Sequence, residues 1–258
     1  MSLLRALLLI LLWPLAAVAQ PAPETVVGAL SQNEVSITAN FNGSEIFIFG
    51  AVKREAPVPE DFGALHVVIT VQGPSQALTV RRKERTFGIW VNRDTGVVDE
   101  APSFYAIATT APLTEIMSET ERLRYRLGFD RAVRIVGASD AVADPRSFAD
   151  AVVRIRQKND LYSQQDGIVD LREETLFSTR VALPANLVEG DYRTRMYLLR
   201  DREVVNVSET VIEVRKTGLE RLIYTTAHEQ PLLYGVLSIL VALAAGWGAS
   251  EAFRQLRR

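Results

Sequence analysis

The spacing of apolar positions changes along the chain, and each change marks a different kind of element. From Glu34 to Ala51 (EVSITANFNGSEIFIFGA), Val35, Ile37 and Ala39, then Ile46, Ile48 and Gly50, alternate with their neighbours. A two-residue period is that of strands with one buried face. Asn42-Gly43 between the runs predicts a tight hairpin, because a type I′ turn needs two residues tolerant of positive φ. Further strands are predicted over Leu65–Val71, ending at Gly73-Pro74, and over Ala77–Arg82, running into a charged turn RRKER. Two more cover Thr86–Val91, which carries Trp90, and Ser103–Thr109. Short strands at this spacing predict a β-sandwich.

Between Pro112 and about Gln165 the period lengthens to nearly four. Ile116, Thr120, Leu123 and Leu127 share one helical face, and Gly128 supplies a stop. Asp144-Pro145 places a capping carboxylate before a proline, and Phe148, Val152, Ile155 and Tyr162 form the next apolar stripe. The prediction is a pair of inserted helices whose charged faces, with Glu119, Glu121, Arg154, Arg156 and Lys158, meet water. Strand periodicity returns over Glu174–Leu183, Tyr192–Leu199 and Val204–Val214. The corner LPANLVEGDY gives Leu187, Gly190 and Tyr192 the Leu-x-x-Gly-x-Tyr spacing of a tyrosine corner, in which the phenol bonds back to the crossing loop of an immunoglobulin-like sandwich. Antibody domains carry a cysteine two residues after that Tyr; Thr194 stands there in this chain.

Both ends are apolar, in different ways. Residues 1–20 (MSLLRALLLILLWPLAAVAQ) have one positive charge at Arg5, a short apolar run interrupted by Pro14, and Ala17-Val18-Ala19 before Gln20, the plan of a secretory signal peptide cleaved after Ala19. Leu232–Ala249 (LLYGVLSILVALAAGWGA) is 18 residues without a charge, enough at ~1.5 Å per residue to cross most of a ~30 Å hydrocarbon core. The expected organisation is a signal peptide at 1–19, strands at 20–111, the helical insertion at 112–165 and strands with the tyrosine corner at 166–216. A juxtamembrane linker at 217–230, a membrane helix at 231–250 and a cytoplasmic tail at 251–258 complete it. The signal peptide sets the orientation, a periplasmic domain on one inner-membrane helix; Arg215, Lys216 and Arg221 give the positive-inside rule little to add. Ser238, Ala242, Gly246 and Ser250 fall at every fourth position of that helix, forming a small-residue face on which another helix can pack closely.

Composition narrows the chemistry. Cysteine is absent, which excludes disulfides, thiolate metal sites, a cysteine nucleophile and a lipoprotein anchor. Between the apolar ends 25 basic residues face 30 acidic ones, so nucleic acid is not an expected partner. No Gly-x-Ser-x-Gly occurs, and His66 and His228 each stand alone, one in an alternating strand and one beside the membrane. Neither an enzyme, nor a metal site, nor a cofactor is expected. Arg81, Arg82, Lys83 and Arg85 suit an anion or phospholipid headgroups, but Glu84 and the turn setting favour a solvated hairpin tip. Trp90, Phe104 and Tyr105 are expected in the core.

With these features in order, FGIWVN (Phe87–Asn92), PSFYA (Pro102–Ala106), LPANLVEGDYRTRMYLLRD and YGVLSILVALAAGWG (Tyr234–Gly248), the chain resembles, over nearly its full length, an uncharacterised family of transmembrane proteins from alphaproteobacteria. The resemblance implies a periplasmic domain on a single inner-membrane helix and an association with permeases similar to sulfite exporters; it carries over no catalytic residue. Two functions are compatible with the sequence. One is a non-enzymatic accessory module that contacts another inner-membrane protein; the other is a periplasmic domain that binds or senses a small solute in a pocket between the sandwich and the helical insertion.

Overall fold

The computed structural model describes residues 24–38, 41–55, 63–135, 146–217 and 219–256. The signal peptide, its Ala17-Val18-Ala19 motif and Asp144-Pro145 lie outside the described residues. In chain order the strands are β1 (Thr25–Leu30), β2 (Glu34–Ile37), β3 (Ser44–Lys53), β4 (His66–Gln72), β5 (Ser75–Thr86), β6 (Ile89–Pro102) and β7 (Tyr105–Thr109). Helices α1 (Leu113–Ile116), α2 (Glu119–Arg124), α3 (Phe129–Ala132) and α4 (Arg146–Lys158) follow. The chain returns to strands with β8 (Tyr162–Gln165), β9 (Asp170–Arg172), β10 (Leu176–Leu183), β11 (Gly190–Arg200) and β12 (Glu203–Lys216), then ends in α5 (Leu219–Glu229) and α6 (Pro231–Leu256). The protein is mainly β with one C-terminal helix of membrane-spanning length.

Two sheets share one core. The first has the order β1-β3-β10-β9, the second β2-β12-β11-β4-β7-β8. Alternation explains the packing: Ile46 and Ile48 of β3 and Val181 and Leu183 of β10 are buried, while Phe47 and Phe49 between them face outward and stack at 5.5 Å. From the second sheet Tyr192, Thr194, Met196 and Leu198 of β11 form one buried row, and a Cβ built on Gly28 of β1 would strike the Met196 sulfur.

Three predicted details differ. The strands around Asn42-Gly43 do not pair with each other, since β2 lies parallel to β12 and β3 pairs with β1 and β10. Gly43 is instead needed for a chain that crosses between sheets: its φ is +105°, and an added Cβ would come within 2.8 Å of the Leu183 carbonyl. Second, RRKER is not a turn but the outer half of β5; the reversal is Phe87-Gly88, with φ of 49° and 86° as a two-residue type I′ turn demands. Third, the first predicted helix is broken. Extended backbone at Met117 ends α1, Ser118 caps α2 by accepting from the Glu121 N–H at 3.3 Å, and Leu123 is left exposed. In the second stripe Phe148 and Val152 are buried on α4, Ile155 is exposed, and Tyr162 belongs to β8, where its hydroxyl donates to the Pro102 carbonyl at 2.8 Å.

The membrane helix follows from the rest of the chain almost without interruption. Gln230 N–H bonds to the Thr226 carbonyl at 3.1 Å and Tyr234 N–H to the Gln230 carbonyl at 3.0 Å, with Pro231, which has no N–H to lose, at the first position of α6. Pro231–Ser250 has a mean hydropathy of 1.9 and none of it is buried against the domain.

Candidate functional site

The strand β11 has two faces with different destinations. Tyr192, Thr194, Met196 and Leu198 enter the core, so Arg193, Arg195 and Tyr197 project from the opposite side of the sheet. Register places Gln72 and Thr70 of β4 opposite Arg193 and Arg195, and Tyr105 of β7 opposite Gln72. These side chains floor a cleft of about 230 Å³ walled by Glu100, Tyr125, Arg126, Arg131, Ala132 and Arg134. The wall is held by main-chain bonds: Arg134 N–H to the Glu100 carbonyl at 2.7 Å and Asp99 N–H to the Arg134 carbonyl at 3.0 Å.

The charges there are unequally matched. Arg195 Nε donates to Glu209 Oε2 at 2.6 Å, and Arg131 is held by Asp130 at 2.9 Å and by Glu119. No carboxylate among the described residues is within ion-pair distance of Arg126, Arg134 or Arg193, and Arg131 Nε is buried with no partner. Among the described residues, Glu100 is the one carboxylate lining the cleft beside five guanidinium groups. Tyr125 and Tyr197 meet edge to face at 5.4 Å. Burial pushes the phenols of Tyr105 and Tyr197 above the ordinary value; for Tyr197 the Arg195 charge opposes the shift without cancelling it. Their hydroxyls are already partnered inside the protein, Tyr105 by the Gly128 main chain and Tyr197 by Arg195 and Thr70. Arg126 adds a backbone observation, since it ends α2 at φ 53°, a left-handed position that glycine occupies at no steric cost. Strain of that kind tends to persist where a side chain is needed. Taken together, the cleft has the chemistry to hold a small anion by bidentate guanidinium hydrogen bonds.

The residues singled out in the sequence lie elsewhere. Tyr192 is fully buried and its hydroxyl donates to the Val188 carbonyl at 2.8 Å; Leu187 is buried, and Gly190 has φ +147° with Pro74 so close that a Cβ would approach it to 2.9 Å. Ser238, Ala242, Gly246 and Ser250 are exposed on α6, and a Cβ built on Gly246 would meet nothing within 4 Å. His66 Nδ1 lies 3.1 Å from Thr110 Oγ1, and His228 stacks on Tyr224 at 4.0 Å. Phe104 and Tyr105 are in the core as expected, but Trp90 is exposed, because it stands beyond the sheet near the tip of the β5–β6 hairpin. The cleft itself was hidden in the sequence. Its only trace is Arg193-Thr194-Arg195-Met196-Tyr197, whose polar alternation reads as a solvent face unless one knows that α2 and α3 cover it.

A family model described as putative transmembrane protein (Alph_Pro_TM) matches residues 25–255. Comparison with curated proteins gives no match. Because the family match runs from β1 through both sheets and the cleft into the last turn of α6, the chain belongs to this transmembrane protein family.

Proposed function

We propose that the protein is a non-enzymatic, single-pass accessory module of the inner membrane, whose periplasmic domain binds a small anionic solute in the arginine cleft and serves a neighbouring permease. The observation that carries this reading is the set of three guanidinium groups, Arg126, Arg134 and Arg193, that line a concave site and, among the described residues, have no carboxylate within ion-pair distance. A domain whose sequence between its apolar ends is net acidic has no general reason to gather cations in one place. Supporting the membrane setting is a single apolar helix within a transmembrane family; the export signal at residues 1–19 supports the periplasmic side. The small-residue face of Ser238, Ala242, Gly246 and Ser250 is where a permease helix would approach most closely.

Binding is tested by thermal unfolding of the full chain in detergent, with sulfate or phosphate against chloride at equal ionic strength. An anion at ~100 times its Kd adds about 2.7 kcal/mol to the folded state. The expected result is a higher midpoint with the divalent oxyanion that disappears in Arg193→Gln; an equal midpoint in all three salts removes the cleft as a binding site. The side of the membrane is tested by alkaline phosphatase fused after Thr225, where an inactive fusion reverses the orientation. The permease contact is tested by co-purification, which Ala242→Leu with Gly246→Leu should abolish while leaving insertion intact.

A further inference from the structure

The ladder of β4 and β7 does not stop where the six-stranded sheet stops. Gln72 opposes Tyr105, Gly73 N–H bonds to the Phe104 carbonyl at 2.9 Å, Ser103 N–H bonds to the Pro74 carbonyl at 2.9 Å, and Ser75 opposes Pro102. From there β5 and β6 continue to the pair Thr86–Ile89, so one hairpin begins inside the sheet and leaves it as a two-stranded arm. The base of the arm is supported by α4, where Phe148 lies against Gly96 and Arg82 lies over the Phe148 ring at 5.0 Å. Beyond Arg82 every residue up to Trp90 except half-buried Thr86 is exposed.

The tip has the composition of a membrane-interface element. Phe87 is 103% exposed and adopts φ 49°, a conformation unfavourable for a bulky side chain, and Ile89 and Trp90 are 65% and 67% exposed. At Phe87, which is fully exposed, no contact among the described residues offsets either cost. Behind them, Arg81, Lys83 and Arg85 fall at alternate positions of β5 and so share one face, with Trp90 directly opposite Arg85. The arm's acidic residues pair with other cations: Glu84 with Arg93 at 3.3 Å and Asp94 with Arg82 at 3.9 Å. Among the described residues, no carboxylate pairs with Arg81, Lys83 or Arg85.

Position completes the argument. The arm leaves the sheet at the end where Val214 opposes Gly190 and β12 runs on to Lys216, the end that leads to the membrane helix. A straight ribbon rising ~3.3 Å per residue carries the tip about 30 Å past the level of Lys216. From Lys216 to Pro231 the chain, mostly the 11-residue α5, spans at most about 30 Å. Along the strand direction the tip therefore lies about as far beyond Lys216 as the chain can carry Pro231.

We propose that the β5–β6 arm is a second membrane contact: Phe87 and Trp90 enter the interfacial layer of the leaflet facing the domain, while Arg81, Lys83 and Arg85 bind its anionic phospholipid headgroups. Aromatic rings favour that layer and cations favour anionic headgroups. Two attachments, one helix and one arm, hold the domain in a fixed posture above the bilayer instead of leaving it free to swing on α5. This rests on the membrane anchoring alone and not on anion capture by the cleft.

The test uses the full chain in nanodiscs of phosphatidylcholine with and without phosphatidylglycerol. Because the chain has no cysteine, Phe87→Cys and Val205→Cys each give a single nitroxide site, at the tip and on the exposed β12 edge. The expected result, with phosphatidylglycerol present, is that the label at 87 collides with oxygen and is shielded from an aqueous nickel chelate, while the label at 205 shows the reverse. In a Trp13→Phe, Trp247→Phe background with an unaltered arm, Trp90 emission should shift to shorter wavelength and be quenched by brominated lipid. Replacing Arg81, Lys83 and Arg85 by Gln should cancel both signals, and Arg85→Gln alone should weaken them. A label at 87 as open to nickel as that at 205, or one shielded from both reagents as by a protein partner, overturns the proposal. So does retention of both signals in the triple variant.

Discussion

Arg193 and Arg200 stand on the same strand, seven residues apart, in opposite circumstances. The Arg200 side chain is 2% exposed, and its guanidinium is fully engaged: Nε donates to Glu24 Oε2 at 2.7 Å, Nη2 to Glu24 Oε1 at 3.0 Å and to Glu174 Oε2 at 2.9 Å, and Nη1 to the Gly63 carbonyl. Arg54 closes the cluster with a 2.6 Å bond to Glu24. Arg193 is exposed at the floor of the cleft, and among the described residues no carboxylate lies within ion-pair distance of it. A buried cation without a partner would cost several kcal/mol, so at Arg200 the partners are a condition of folding. At Arg193 water does the same duty. The difference separates a cation that fastens the N-terminal segment to the second sheet from one that remains available.

The largest effect should come from breaking the fastened end. Arg200→Ala leaves Glu24 and Glu174 close together with Arg54 alone to balance them, and truncating one member of a buried pair costs about 3–5 kcal/mol. Chemical unfolding of the detergent-solubilised chain should show that loss; less than about 1 kcal/mol would mean that the cluster is solvated. The same end should be acid-sensitive. Burial pushes the Glu24 carboxyl up, but its bonds from Arg200 and Arg54 outweigh burial and hold it below the ordinary carboxylate value. A lowered folded value means that the unfolded chain takes up the proton first, so stability is present above the ordinary glutamate range and lost as pH falls through the folded value. A pH series of wild type and Glu24→Gln should converge at low pH. At high pH the buried tyrosines are the sensitive groups, Tyr105 and Tyr197 at the cleft as well as Tyr162 and Tyr192 elsewhere. Tyr105 and Tyr197 keep their protons above the pH, about 10, at which an unfolded tyrosine releases its own, so their contribution is present below that value and lost as pH rises.

Next in size is Tyr192, a neutral polar anchor on the core side of the same strand. Its phenol is buried and bonded to the Val188 carbonyl, and burial pushes its pKa up. Loss of one such bond costs roughly 0.5–1.5 kcal/mol, so Tyr192→Phe should lower the unfolding midpoint without altering the circular dichroism. An unchanged midpoint would mean that water replaces the phenol and that the corner is not a structural fastening.

What could be read from the sequence divides along similar lines. Strands β4, β10, β11 and β12 and the membrane helix are set by runs and alternations within a few residues, where local periodicity and burial agree. Asn42-Gly43 misleads because the dipeptide records only a tolerance for positive φ; the cause at Gly43 is the Leu183 carbonyl, 140 residues away in sequence. RRKER misleads because a charged run suits a turn, whereas a strand outside any sheet core can be charged on both faces. The Arg200 cluster joins residues 24, 54, 174 and 200, and the cleft needs β11 to meet a segment some 60 residues earlier. Neither pairing has a local signature, so composition and spacing could reveal neither.

The smallest effect is the most discriminating, because its sign is opposite to the others. Arg126 occupies a left-handed position at the end of α2, immediately before Leu127, whose N–H returns to the Arg122 carbonyl at 2.9 Å. A side chain there costs about 1 kcal/mol relative to glycine, part of which the greater freedom of glycine in the unfolded chain would return. Arg126 is exposed and makes no ion pair among the described residues, so Arg126→Gly removes strain and no stabilising contact. Stability should rise by roughly 0.5 kcal/mol, while the oxyanion-dependent increase in midpoint falls. A gain in stability together with a loss of binding marks a residue kept for a ligand, the reverse of Arg200, where stability is the whole contribution. If Arg126→Gly instead lowers stability and leaves the oxyanion response intact, Arg126 belongs with the structural arginines and the binding site must be drawn around Arg134 and Arg193 alone.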